Sequence, residues 1–293
     1  MDEDLELLNR LCKLYELPEQ SAYVDTYINE VKFFKVTDNE KLAPLFYKKG
    51  FSFIAHGKKI AYVNHEEFEH GKTDYLIVCS PQAVECQTFI LGDEPLIGIY
   101  ITLNTNRLNK VIKKFLKEET ILKPKDNSFS TVTCSIKTDV INKILFKILK
   151  ALECKTESAI LADGLLDELY LRILQSEKGY MLEQLTLENS KLSKVSNVIE
   201  YVVNNLDKKI TLEDMAKKAE MSVNNFHKLF KEAQHDTPVQ FIKKIKLSKA
   251  KQLIVYDNKK AIEASELVGY SSFSQFSREF KRHFGESPSK IKE

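Results

Sequence analysis

Arginine is scarce in this chain of 293 residues: Arg10, Arg107, Arg172, Arg278 and Arg282 are all there are, and the last two share one short stretch, Ser272 to Phe284 (SFSQFSREFKRHF). A spacing of four residues puts Arg278 and Arg282 on one helix face. Phe273, Phe276, Phe280 and Phe284 recur along the opposite stripe, so the stretch reads as a helix that buries phenylalanine and presents Ser274, Gln275, Arg278 and Arg282. A guanidinium can grip O6 and N7 of guanine with two parallel N–H groups, and an amide such as Gln275 can do the same for N6 and N7 of adenine. Taken as an isolated helix, the same residues are only a solvated face.

A second stretch repeats the layout. Ser222 to Gln234 (SVNNFHKLFKEAQ) also opens on an N-capping Ser, carries Phe226 and Phe230 on one stripe, and presents Asn224, Asn225, His227 and Lys228 on the other. With an offset of 50 residues Phe226 falls on Phe276, Lys228 on Arg278, Phe230 on Phe280, Lys231 on Lys281 and Pro238 on Pro288, which is an internal duplication. Lys228 lacks the arginine fork, so it suits a phosphate better than a base edge. His227 reads as a neutral polar contact. Lys243, Lys244, Lys246, Lys281 and Arg282 are further candidates for phosphate contact, with ordinary surface charge as the alternative.

These helices need partners to position them. Thr211 to Ala219 (TLEDMAKKA) and Ala261 to Val268 (AIEASELV) precede them by a few residues, which makes two helix-turn-helix units. Thr211 with Asp214 forms a capping-box variant, and Gly269 supplies the permissive backbone of the second turn, where the first unit has Glu220. Pro238 to Tyr256 reads as one connecting helix, about 28 Å long at 1.5 Å per residue. That length suits two recognition helices in successive major grooves, roughly 34 Å apart.

The residues VGYSSFSQFSREFKRHFGESP (Val268 to Pro288) are similar, almost position by position, to the signature of the AraC/XylS family of bacterial transcription regulators, and Met221 to Ile254 matches more loosely. The resemblance runs from about Ser193 to Lys292. It departs from the family pattern at His235, where glycine is usual, at Lys228 and Lys246, where arginine is frequent, and at Ile291, where an aromatic is common. Within this motif, base contact by Arg278 and Gln275 becomes the expected role.

Charge divides as a polyanion-binding C-terminal half requires. From Lys191 onward there are 20 Lys and Arg against 13 Asp and Glu, net +7; subtracted from 44 and 42 this leaves 24 against 29, net −5, for the first 190 residues. Apolar runs fall short of the roughly 20 residues that span a bilayer, and the start MDEDLELLNR lacks the basic and apolar regions of a secretion signal. The expectation is a cytoplasmic protein with no membrane partner. The five cysteines, Cys12, Cys79, Cys86, Cys134 and Cys154, are odd in number and show no CxxC, so they read as reduced thiols.

The first half changes pattern twice. Residues 1 to 20 suggest a short helix, free to act as an arm, and from Tyr23 to about Leu103 short β-favouring runs (FSFIAH, KIAYV, DYLIVCS, AVECQTFIL, PLIGIYITL) are broken by His56-Gly57, Gly71 and Gly92-Asp93. Their spacing suggests a small antiparallel barrel or sandwich. Helical spacing then governs Thr105 to Lys117, Lys137 to Leu152 and Ser158 to Gln175, whose broad apolar stripes can serve a core and a second copy of the chain.

Ala43 to Gln87 resembles the cupin-like N-terminal domain of an AraC subgroup, which in the family binds an effector, dimerises, or does both. The whole reads as a two-domain α+β protein: a cupin-like antiparallel β-barrel with flanking helices at 1–175, a linker at 176–192, and an all-α double helix-turn-helix domain at 193–293. Its expected partners are double-stranded promoter DNA, a second copy through the N-terminal half, a small-molecule effector and, in line with the family, RNA polymerase. No cofactor is expected. His56, His65 and His70 contain no H-x-H pair and do not make a cupin metal site, and no catalytic constellation is visible, so a cupin-type enzyme has only the barrel behind it. An alternative to the effector is a thiol switch at Cys79 and Cys86, flanking Ser80-Pro81, which requires exposed thiols of lowered pKa.

Overall fold

A computed structural model describes residues 3–19, 21–63, 66–121 and 130–291. Helix α1 (Glu3–Leu14) precedes strands β1 (Ala22–Asp25), β2 (Val31–Val36), β3 (Glu40–Tyr47), β4 (Gly50–His56), β5 (Lys58–Val63), β6 (Glu66–His70), β7 (Asp74–Val78), β8 (Gln82–Phe89) and β9 (Leu96–Thr102). Helix α2 (Thr105–Glu118), strand β10 (Val132–Ile136), α3 (Asp139–Ala151), α4 (Lys155–Leu174) and α5 (Gly179–Thr186) follow. The remainder is helical: α6 (Lys191–Val203), α7 (Leu212–Lys218), α8 (Val223–Gln234), α9 (Pro238–Val255), α10 (Ala261–Leu267) and α11 (Phe273–Phe284).

The strands form two antiparallel sheets, one in the order β1-β2-β9-β4-β7-β10 and one in the order β3-β8-β5-β6. The central strands of the larger sheet are apolar on both faces because both are covered. Phe51, Phe53, Tyr75, Ile77, Ile97 and Ile99 face the helices α1 to α5, while Ile54, Leu76, Val78, Leu96 and Tyr100 meet the smaller sheet. Period-two alternation thus sorts each strand between two cores.

Both sheets stay open, so the closed barrel is not what these ladders make, although the antiparallel β-domain with flanking helices is present. The edges of the smaller sheet carry features that suit an edge: Pro44 in β3 has no N–H to give, and β6 is acidic (EEFEH). The N-terminal arm is also corrected. Leu7, Leu8 and Leu11 of α1 are buried in the helical core beside α3. The stretch read as a linker holds α5, whose Met181, Leu182 and Leu185 join the same core.

The C-terminal helices build two cores on one shared helix. Phe241 and Ile245 of α9 pack with α6, α7 and α8 around Phe226 and Phe230, whereas Leu247, Ala250 and Ile254 pack with α10 and α11 around Phe276 and Phe280. This helical body docks on the sheets. Lys49 Nζ lies 2.8 Å from Glu200 Oε2, the Ser196 hydroxyl donates to Cys79 O at 2.8 Å, and the Tyr256 hydroxyl donates to Glu40 Oε1 at 2.9 Å. Phe46 of β3 joins the core of the first helical unit, with Lys249 of α9 over its ring.

Candidate nucleic-acid interface

Each recognition helix is set by local chemistry. In the first unit Thr211 accepts from Asp214 N at 3.1 Å and Asp214 accepts from Thr211 N at 2.9 Å, a complete capping box that starts α7. The turn then passes through Glu220 at φ 54°, and the Ser222 side chain caps α8 by accepting from Asn225 N. In the second unit the turn passes through Gly269 at φ 75°, and Ser272 caps α11 by accepting from Gln275 N. A Cβ on Gly269 would stand 2.2 Å from Leu206 O just beyond α6, so this turn is glycine for proximity as well as for handedness. Left-handed caps end both helices, His235 at φ 52° and Gly285 at φ 82°, one duplication offset apart.

Burial separates the faces as the sequence suggests. Phe226, Leu229, Phe230 and Ala233 of α8 are buried, Asn224, Asn225 and Lys228 are exposed, and His227 is half-buried. In α11 Phe276 and Phe280 are buried, and Ser274, Gln275, Arg278 and Arg282 are exposed. Arg278 has no hydrogen-bond or ion-pair partner among the described residues, which leaves its fork open to solvent. Gln275 is different: its amide donates to Glu279 Oε1 at 3.4 Å.

Glu279 is the anchor that sequence reading did not single out. Its carboxylate accepts from the Tyr270 hydroxyl at 2.9 Å and lies 3.6 Å from Lys243 Nζ of α9. Burial opposes ionisation there, but the bonds from Tyr270 and Gln275 with the charges of Lys243 and Arg282 hold the carboxyl below its ordinary value. The group joins the second turn, α11 and α9. Only the packed helices bring these residues together.

The lysines of α9 divide accordingly. Lys246 donates to Gly269 O at 3.2 Å and lies over the Tyr270 ring, and burial lowers its pKa. Its amine is bonded to the second turn, at a position where the sequence offered a phosphate contact or ordinary surface charge. Lys244 is exposed and paired with Asp236 at 2.8 Å, and Lys281 is exposed.

Cys79 and Cys86 are buried; desolvation pushes Cys79 up to about 12 and Cys86 up to about 11. That is opposite to what a sensing thiol needs, and the thiol switch is set aside. His56 Nδ1 lies 3.0 Å from Pro95 O, His70 is wholly buried, and His65 lies outside the described residues. Among the described residues no three His, Cys, Asp or Glu side chains converge as a metal site would require, and no helix is long and apolar enough to cross a membrane.

Residues 27–181 match the family described as AraC-type transcriptional regulator N-terminus, and residues 215–293 match a helix-turn-helix domain family. The probable transcriptional regulator LumQ of Photobacterium leiognathi is 32% identical over 105 residues, covering 35% of this chain and 42% of LumQ. The lactose operon transcription activator of Staphylococcus xylosus is 25% identical over 157 residues, covering 53% and 55%. The chain therefore spans about half the length of these curated relatives. CfaD, an HTH-type transcriptional activator of Escherichia coli, is 27% identical over 213 residues, covering 70% of this chain and 75% of CfaD. Among solved structures, apo ToxT K231A from Vibrio cholerae superposes with a TM-score of 0.62 at 13% identity, covering 88% and 95% of the two chains. Wild-type ToxT with an unsaturated fatty acid bound superposes at 0.61 and 14% identity, covering 88% and 92%. At such identity the likeness concerns the fold.

Proposed function

Because the chain belongs to the AraC-type transcriptional regulators, we propose that it reads promoter DNA in the cytoplasm through α8 and α11 and that its N-terminal domain answers to a small-molecule effector. The observation that carries this is the pair of separately cored helix-turn-helix units on α9, each turning a polar face outward from a buried phenylalanine pair. In this reading Arg278 and Gln275 meet base edges, Asn224, Asn225 and His227 form the corresponding face of the first unit, and Lys228, Ser274 and Arg282 hold phosphates. Residues 1–175 serve the effector and pairing, 176–192 transmit, and 193–293 bind DNA.

A second copy of the chain is part of the proposal. Val140 on α3 and Ile160 and Leu161 on α4 are large apolar side chains left in solvent, Ile160 being 72% exposed. They suit a helix-to-helix contact between protomers. RNA polymerase is then a partner met at the promoter.

The test is selection of duplexes from a random pool by the full-length chain, followed by a salt titration. The expected result is an enriched motif with two half-sites about one helical turn apart, whose affinity falls linearly in log–log against salt. Failure to enrich any sequence at low salt would overturn the proposal. Light scattering on the same sample tests pairing, and a monomer at high micromolar concentration would reject it.

A further inference from the structure

Strand alternation sets the direction of one phenylalanine in β3. Leu45 and Tyr47 turn inward to the core between the two sheets, so Phe46 points outward from the smaller sheet. An outward phenylalanine on an edge strand is a liability when left in water, yet Phe46 is only 4% exposed. The C-terminal helices cover it. Phe46 shares one core with Val198 and Val202 of α6, Phe226 and Phe230 of α8, and Phe241 of α9. Among the described residues it is the one member of that core from outside 195–245, whereas the second core draws its buried side chains from 247–280 with none from the β-domain.

The polar contacts divide in the same way. On the first unit, Ser196 of α6 donates to Cys79 O at 2.8 Å, Lys49 Nζ joins Glu200 of α6 at 2.8 Å to Thr105 Oγ1 at 3.1 Å, and Gln234 at the end of α8 donates to Thr131 Oγ1 at 3.4 Å. The second unit meets the β-domain at Tyr256, the C-cap of α9, whose hydroxyl donates to Glu40 and whose ring meets Tyr23 edge-on with centroids 4.9 Å apart. Tyr256 lies outside the second core. Beside the first unit's bonds the seam is not fully satisfied: Ser80 Oγ, next to Cys79, and Nε2 of Gln82, whose amide oxygen accepts from Thr131, are buried without a hydrogen-bond partner among the described residues. Such groups regain water when the two bodies part, which offsets part of what Phe46 gains by burial. Docking thus completes one unit's core across a seam that can open.

We propose that the β-domain governs the first helix-turn-helix unit alone: Phe46 completes its core, so α8 is held in place only while the two bodies are docked, whereas α11 keeps its place either way. The coupling is a property of the fold; its consequence for DNA rests on the function proposed above.

Hydrogen exchange read by mass spectrometry on the full-length chain, without DNA, tests the coupling. Phe46→Ala should speed exchange of the α6, α7 and α8 amides by about tenfold or more and leave α10 and α11 within about twofold of the parent. Along α9 the boundary should fall near Lys246, between the residues that the two cores claim. Phe46→Leu, which keeps most of the apolar volume, should give the same pattern at smaller size, and it decides the matter should the alanine variant not fold. Equal acceleration in both units, or none in α6 to α8, overturns the proposal. On a selected duplex the parent should lose affinity when either half-site is scrambled, and Phe46→Ala should lose it for one of the two only; a variant as sensitive as the parent to both overturns the control of α8. A chain that selects no duplex rejects the DNA reading and leaves exchange to decide the coupling.

Discussion

Arg278→Ala separates base reading from mere attraction to DNA. Arg278 is exposed on α11 and has no intramolecular partner among the described residues, so its removal should change folding stability by no more than about 0.5 kcal/mol. The loss should appear in recognition. One bidentate guanine contact is worth about 1 to 3 kcal/mol of discrimination, which is roughly 5- to 150-fold between cognate and altered duplex. Lys244→Ala is the contrasting variant, because Lys244 is exposed on α9 and shares only a surface ion pair with Asp236. It should weaken binding to all sequences alike and lower the salt slope by about 1. Competition by fluorescence anisotropy against cognate and scrambled duplexes at fixed salt, with thermal melts alongside, reads both effects. If Arg278→Ala lowers cognate and scrambled binding by one common factor, Arg278 touches only the backbone and the readout face is misassigned.

Three further outcomes test the local physics. Glu220→Gly should raise stability by about 1 kcal/mol by relieving a left-handed non-glycine residue, whereas Gly269→Ala should lower it, because the added Cβ would meet Leu206 O at 2.2 Å; urea melts that move in the same direction would refute the pair. Burial, with Lys59 and Lys137 opposing a positive charge, holds His70 neutral and its pKa down to about 3 from 6.5; the unfolded chain therefore takes the proton more readily, so stability is full above pH 6.5 and falls with acidification by up to about 1.4 kcal/mol per unit. Denaturant midpoints at pH 7 and pH 5 should differ less in His70→Phe than in the parent, and an equal difference would show that His70 is not the titrating group. Native thiol titration should label exposed Cys154 quickly while Cys79 and Cys86 react only on unfolding, and prompt labelling of either buried thiol would reopen the thiol switch.

What the sequence determined by itself is local and periodic. The phenylalanine stripes, Ser222 and Ser272 as caps, Thr211 with Asp214, and the 50-residue offset could all be read because a helix and its cap are specified within a few neighbouring residues. The central strands were legible for the same reason, since FSFIAH and DYLIV are apolar enough for two buried faces. Strand β3 was not, because Pro44 demotes any strand pattern unless the strand is known to be an edge. Strand β10 was not, because its place beside β7 is a long-range pairing. Tertiary structure alone decided that the sheets stay open, that Leu7, Leu8 and Leu11 belong to a core, that Lys246 is spent on Gly269, and that Glu279 joins Tyr270 to Lys243. Each of these depends on groups from separate elements meeting in space, and no local pattern encodes that meeting.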